Sequence, residues 1–110
     1  MNQEDLRFIE VKKVCSKAEL WSEGGKNHVY LPAFKVASHD LKHQMDLLLC
    51  PYDRDGYTSR LFFQEQIKGK VSNWSTFNIC GRTWYGYSWK GIPNDIPYYQ
   101  MLLGHLGALT

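Results

Sequence analysis

The sequence has few of the features that mark secreted, membrane-spanning or disulfide-rich proteins. It contains three cysteines in 110 residues, an odd number at wide spacing that does not suit a disulfide framework. Its longest apolar run, at 47–50, is far too short to cross a membrane. The polar, acidic N-terminus lacks the apolar stretch of a signal peptide. We therefore expect free thiols, no membrane insertion and a cytoplasmic location.

The excess of positive over negative charge is also small. The net charge is only +2, and the lysines and arginines are scattered, with no basic cluster among the aromatic residues. Grooves that bind single-stranded nucleic acid combine these two features, so the composition argues against a nucleic-acid partner. The glycine pair at 24–25 precedes a predicted strand, which leaves no helix N-terminus there to bind a phosphate.

Two short segments resemble metal sites in composition but not in spacing or context. His39, Asp40 and His43 would converge on a metal only from a helix, and they fall in a predicted turn. The segment 53–56 has the composition of a calcium loop, but its glycine comes two positions early and Tyr57 holds the next ligand position. We therefore predict no metal site.

Serine–histidine catalysis has no sequence motif behind it. No serine stands in the context of a nucleophile elbow. His105 lies beside Leu102 and Leu106 in a segment with helical periodicity, and we interpret it as a structural histidine near a helix C-terminus.

Helices are predicted at both ends of the chain. Residues 4–18 place apolar side chains at helical spacing behind acidic residues, although the β-branched residues of this stretch also allow a strand. Residues 95–109 form a second apolar stripe at helical spacing. Asn94 or Asp95 is the predicted cap, and Pro97 is placed in the first turn.

Strand-like segments fill the middle of the chain. They lie at 28–36, 44–50, 58–67, 74–80 and 83–89. The segment 44–50 is nearly all apolar and predicts a central strand, whereas Pro32 predicts an edge position or a bulge. Short loops between consecutive strands favour an antiparallel meander of four or five strands, with the helices covering its apolar face. We predict one α+β two-layer domain over residues 1–110.

Cys80 is the cysteine with two open interpretations. It is followed by Gly81 and Arg82 at the predicted end of a strand, where a thiol could be exposed and a guanidinium would favour the thiolate. The alternative is a buried last residue of a hairpin strand, with Gly81–Arg82 as the turn. Cys15 and Cys50 lie in apolar contexts and are predicted to be buried and unreactive.

Several landmarks in the second half of the chain occur in a familiar order. MDLLLCPYDRDGY at 45–57 is similar to a central strand followed by a tyrosine-containing loop, and RLFF to the next strand. Asn73 precedes Cys80 by seven residues, and Trp89 follows it by nine. A helical segment comes last. In this order and spacing, residues 46–109 resemble ubiquitin-conjugating enzymes, in particular small, divergent bacterial ones, although the family's His-Pro-Asn tripeptide is absent.

The resemblance implies a ubiquitin-conjugating-like two-layer fold and a protein that accepts or binds a ubiquitin-like protein. Cys80 would take the acyl group from the thioester on an activating enzyme, and Asn73 would stabilise the oxyanion when an amine attacks. The resemblance implies no metal or organic cofactor. The partners would be the ubiquitin-like protein and its activating enzyme.

Aromatic residues supply the predicted contact surface. They make up 15% of the chain and are concentrated in its second half. We assign the binding surface to Tyr57, Trp84, Tyr85 and Trp89. The sequence leaves two other functions open. One is a non-catalytic protein-interaction module that uses this aromatic surface, and the other is a small-molecule binding domain with a pocket between sheet and helix.

Overall fold

The computed structural model describes residues 3–13, 15–38, 41–53, 56–67, 74–87 and 91–107. Two helices flank the strands along this part of the chain. In chain order the elements are helix α1 (Gln3–Lys12), strands β1 (Glu19–Glu23), β2 (Lys26–Ser38), β3 (Leu41–Cys50), β4 (Arg60–Phe63), β5 (Trp74–Ile79) and β6 (Arg82–Tyr87), and helix α2 (Tyr98–Leu106). The α+β class and the helix at each end are thus confirmed.

The described strands form one antiparallel sheet in the order β1-β2-β3-β4-β6-β5. The predicted meander holds from β1 to β4 and is wrong after it, because the second strand of the β5–β6 hairpin pairs with β4 and leaves β5 at the edge. Strand β3 has neighbours on both sides, as its apolar sequence predicts. The sheet has six strands instead of the predicted four or five. The additional strand is β1, whose sequence ELWSE has glutamates at both ends and little apolar character. The sequence therefore predicts that the sheet begins after the glycine turn. The structure shows that this turn joins two strands of the sheet, β1 and β2.

Both helices are shorter than predicted. Helix α1 ends at Lys12, although Cys15 and Ala18 beyond it still pack on the same core. Helix α2 begins at Tyr98 with Pro97 as its N-cap, and no side chain caps it. Asn94, a predicted cap, instead donates to the Asp53 carboxylate at 3.1 Å and to the Thr58 carbonyl at 2.9 Å. The turn before α2 is therefore held to the loop between β3 and β4 and not to its own helix.

The two helices cover one face of the sheet and enclose the larger of two cores. We call this the helix-side core. Its fully buried residues include Val11 of α1, Leu47 of β3, Phe63 of β4 and Met101 and Leu102 of α2. Alternation along the strands places these sheet residues on one face. The predicted two-layer packing is present here.

The opposite face of the sheet encloses a second core, formed by Leu48, Cys50, Phe62, Ile79 and Trp84, all buried. Among the described residues no helix lies on this side, so the sheet must cover these side chains itself. It does so by curling. The tip of the β5–β6 hairpin reaches β1 from the other edge of the sheet, and the rings of Trp21 and Trp84 meet edge-on with centroids 6.4 Å apart.

A bulge in β2 accompanies this curvature. The register between β2 and β3 shifts between Leu31 and Phe34, where Pro32 and Ala33 stand. Ala33 has φ of 51°, a left-handed conformation that costs a non-glycine residue about 1–2 kcal/mol. Its N–H donates to the Asp46 carboxylate at 2.9 Å, which holds the strained residue in place. Pro32 thus marks a bulge, one of the two positions predicted for it.

Candidate functional site

Cys80 occupies the turn of the β5–β6 hairpin. Ile79 pairs with Arg82, so the loop between the strands consists of Cys80 and Gly81 alone. Both have positive φ, 53° and 74°, which is the type I′ turn that two-residue hairpins favour. The predicted turn at Gly81–Arg82 is therefore one residue too late, and Cys80 is not the last strand residue. The turn places its side chain half-buried beside the second core.

The surroundings of the Cys80 thiol disfavour the thiolate. Partial burial raises its pKa, and the nearby Glu23 carboxylate raises it further through charge repulsion and a hydrogen bond. The backbone N–H of Cys80 also donates to Glu23 Oε2 at 2.5 Å, and its sulfur lies 3.6 Å from the Ser22 carbonyl oxygen. A reactive cysteine usually has a cation or a helix N-terminus beside it. Here the neighbouring charge is negative.

Arg82 does not supply the cation that the sequence places next to Cys80. Its guanidinium forms a salt bridge with Asp46 at 3.1 Å and lies over the rings of Trp21, Tyr30 and Trp84, 4.8 Å from the Trp84 centroid. The prediction that Arg82 activates the thiol is therefore wrong. As first residue of β6, Arg82 faces the second core, whereas the turn carries the thiol towards Glu23.

Asp46 is the centre of a polar network on this face. Its carboxylate accepts hydrogen bonds from the Tyr30 hydroxyl at 2.7 Å, the Ala33 N–H at 2.9 Å and Arg82 at 3.1 Å. Partial burial acts to raise the pKa of Asp46, but these three donors outweigh it and hold the pKa below its usual value. The network joins the β2 bulge to the β5–β6 hairpin. It stabilises the curl of the sheet.

The predicted aromatic binding surface is not a single surface. Trp84 has no exposed area, and its indole N–H donates to the Ile79 carbonyl at 3.2 Å, so its assignment as a contact residue is wrong. Tyr57 is half-buried on the second-core face, where its ring and that of Phe77 each lie 4.6 Å from the Arg60 guanidinium carbon. Tyr85, also half-buried, faces the other side of the sheet.

The side of the sheet on which Tyr85 lies follows from its pairing. Tyr85 pairs with Phe63 across the sheet, and Phe63 is a member of the helix-side core. Directly paired residues share a face. Tyr85 and Tyr57 are therefore on opposite faces. The other two predicted site residues, Asn73 and Trp89, lie outside the described residues.

A buried serine–histidine pair connects α2 to the sheet. Ser59 Oγ lies 2.9 Å from His105 Nε2, and the Tyr87 hydroxyl donates to the His105 carbonyl. Burial lowers the pKa of His105 to about 4, and the positive charge of Arg60 contributes to this shift. Ser59 and His105 are 1% and 2% exposed, so no substrate reaches them. The predicted structural role of His105 is confirmed.

The sequence indicates His105 but not its partner. Ser59 stands 46 residues away, and no local motif joins the two. Ser59 Oγ also lies within hydrogen-bonding distance, 2.8 Å, of the Ile92 carbonyl, which accepts a second hydrogen bond from Thr58 at 2.6 Å. These contacts fasten the segment before α2 to the start of β4. They depend on tertiary packing and leave no periodic signal in the sequence.

The described residues contain no cluster of three or more histidine, cysteine, aspartate or glutamate side chains that could hold a metal ion. The side chains of the predicted metal-like turn at 39–43, and residues 54–55 of the calcium-like segment, lie outside the described set. No described helix has the length and apolar character needed to cross a membrane.

Comparisons with known proteins do not identify a relative of this chain. No protein family, curated protein or solved structure gives a significant match to this chain. The resemblance to ubiquitin-conjugating enzymes therefore depends on the order and spacing of residues within the chain itself.

Proposed function

We propose that this chain binds a ubiquitin-like protein non-covalently, as a ubiquitin-conjugating-like domain that does not use Cys80 as a nucleophile. The observation that carries the proposal is the position of Cys80 in a type I′ turn against the Glu23 carboxylate. A group that accepts an acyl chain must be available as a thiolate near neutral pH. The environment of Cys80 instead raises the pKa of its thiol and so disfavours the thiolate.

The architecture supports the binding half of the proposal. An N-terminal helix, an antiparallel sheet with the 45–50 segment in β3, and a C-terminal helix on the same face follow in the order that the resemblance implies. The hairpin that contains Cys80 is regular, whereas an acyl-accepting cysteine of the family would stand in an irregular segment. A protein that keeps the scaffold without the reaction fits both facts.

The helices offer the apolar surface that a protein partner requires. Among the described residues, the exposed large apolar side chains all lie on α1 and α2, which contact each other. They form two pairs at helical spacing: Leu6 with Ile9, 52% and 43% exposed, and Tyr99 with Leu103, 38% and 49% exposed. We therefore place the contact surface on the helices and not on the predicted aromatic positions.

The test uses a purified ubiquitin-like protein and its adenylating enzyme. With ATP and both proteins, we expect no conjugate that a reductant cleaves, because Cys80 is held as the thiol. We expect the ubiquitin-like protein alone to bind in a calorimetric titration. Leu103→Ser should weaken that binding about tenfold, as loss of a contact worth more than 1 kcal/mol requires.

One control tests where the contact surface lies, and another tests whether Cys80 is catalytic. Tyr85→Ala removes a predicted aromatic contact from the sheet and should leave the affinity unchanged. A reductant-sensitive conjugate that Cys80→Ala abolishes would show that Cys80 is catalytic, against the proposal. Absence of binding to the ubiquitin-like protein, with or without the activating enzyme, would overturn the binding role itself.

A further inference from the structure

Strand β5 forms one edge of the sheet and is unusually open to another strand. Its sequence WSTFNI has no charged residue and no proline, and among the described residues only β6 pairs with it. Sheet edges are normally protected from further pairing by charges, prolines or bulges. The opposite edge, β1, has a glutamate at each end. The two edges are therefore protected unequally.

The hairpin geometry determines which backbone groups of β5 face outward. In a two-residue hairpin the residues that flank the turn, here Ile79 and Arg82, form a hydrogen-bonded pair, and pairs then alternate along the ladder. Ile79 and Phe77 thus direct their N–H and C=O groups towards β6. Thr76 and Asn78 direct theirs away from the sheet.

The next outward N–H along the chain belongs to Cys80, and Glu23 already accepts its hydrogen bond at 2.5 Å. This hydrogen bond is expected from the alternation of inward and outward N–H groups along β5. It also means that the open part of the edge ends before Cys80. Both Thr76 and Asn78 are exposed, and they retain outward donors and acceptors with no partner among the described residues. Such groups can hydrogen-bond to a further strand.

We propose that β5 pairs antiparallel with β5 of a second copy of this chain, about a twofold axis centred on Phe77. In this register Thr76 faces Asn78 of the other copy, and each of the two such pairs exchanges two backbone hydrogen bonds. Two six-stranded sheets thereby become one continuous sheet. The twofold axis makes the contact self-complementary and closed, so it stops at a dimer.

The side chains of β5 favour a second copy over a charged partner. Because β5 is uncharged, its pairing with itself brings no like charges together. At the centre, the two Phe77 rings form a non-hydrogen-bonded pair, the arrangement in which side chains approach most closely. Phe77 is only half-buried in the single chain, against Phe62 and Arg60. The dimer would cover the remaining part of the ring.

Sedimentation velocity over a wide concentration range tests the dimer. We expect a reversible monomer–dimer equilibrium, weak because an interface of one strand is small. Thr76→Lys places a charge on the outer edge and should abolish the dimer. Thr83→Lys is the matched control: Thr83 is exposed on β6, pairs with Asn78 within the chain, and is not on the outer edge. It should leave the dimer intact.

Cross-linking tests the register. With Cys80 replaced by serine, Phe77→Cys should form an intermolecular disulfide on mild oxidation with copper phenanthroline, because the paired Cα atoms lie about 4.5 Å apart. Ser75→Cys points to the same face of β5 but is four residues out of register with its own copy, so it should not cross-link. Circular dichroism of each variant shows that the fold is retained.

Two outcomes overturn the proposal. One is a monomer at every concentration, whether or not its β5 edge pairs with a foreign peptide instead. The other is a dimer that survives Thr76→Lys.

Discussion

Replacing Trp84 by alanine should lower the free energy of unfolding by about 3–5 kcal/mol, the usual cost of removing a large aromatic side chain from a core. Trp84 has no exposed area and lies at the centre of the second core, edge-on to both Trp21 and Tyr30. It also lies beneath the Arg82 guanidinium, 4.8 Å from ring centroid to guanidinium carbon. The substitution therefore leaves a cavity and removes one of the three aromatic rings that the Arg82 guanidinium contacts.

The neighbouring aromatic residue provides the control. Tyr85→Ala removes a half-buried ring from the next position of β6, on the other face of the sheet, and should cost clearly less than Trp84→Ala. Urea denaturation followed by circular dichroism measures both. An unchanged midpoint for Trp84→Ala would show that the indole is not buried in the second core.

Acidification from pH 7 to pH 4 should lower the free energy of unfolding by about 3 kcal/mol through His105 alone. In the unfolded chain a histidine has a pKa of about 6.5, whereas burial lowers the pKa of His105 to about 4 in the folded protein. Between these values the unfolded chain binds more protons than the folded one. Stability is therefore complete above pH 6.5 and is lost as the pH falls towards 4.

Denaturation midpoints at a series of pH values measure this loss. Protonation places a second positive charge near Arg60 and disturbs the contact with Ser59, so α2 should detach from the sheet. His105→Gln has no group that titrates there, so it should show a shallower decline between pH 6.5 and 4, whatever its stability at neutral pH. Equal slopes in the two proteins would contradict the placement of His105.

Much of the fold is predictable from local patterns. The nearly all-apolar segment 44–50 predicts a strand that is buried on both faces, because successive side chains of a strand point to opposite faces. Leu47 and Leu48 do lie in the two different cores, and β3 has a neighbour on each side. The helical stripe of α2 and the break that Pro32 makes in β2 are equally local. Strand β1 was not predicted, because its own sequence has little strand character and it forms a strand by pairing with β2.

The candidate site was less predictable because its properties depend on contacts between distant residues. Cys80 and Arg82 are neighbours in the chain, yet the turn directs the thiol towards Glu23 and the strand directs the guanidinium towards Asp46. Each carboxylate lies more than thirty positions away in the sequence. Spacing along the chain indicated a cation beside the thiol, whereas the curl of the sheet provides an anion.

The pH dependence of Cys80 alkylation tests most directly whether this domain can act through that thiol. Iodoacetamide labelling, resolved by peptide mass spectrometry, reports the rate at Cys80 separately from those at Cys15 and Cys50. We expect the rate to reach half its maximum above the ordinary thiol pKa of about 8.5, and Glu23→Gln to lower that midpoint because it removes the negative charge. A midpoint below pH 7 in the unmodified chain would contradict the non-catalytic assignment and make Cys80 a nucleophile.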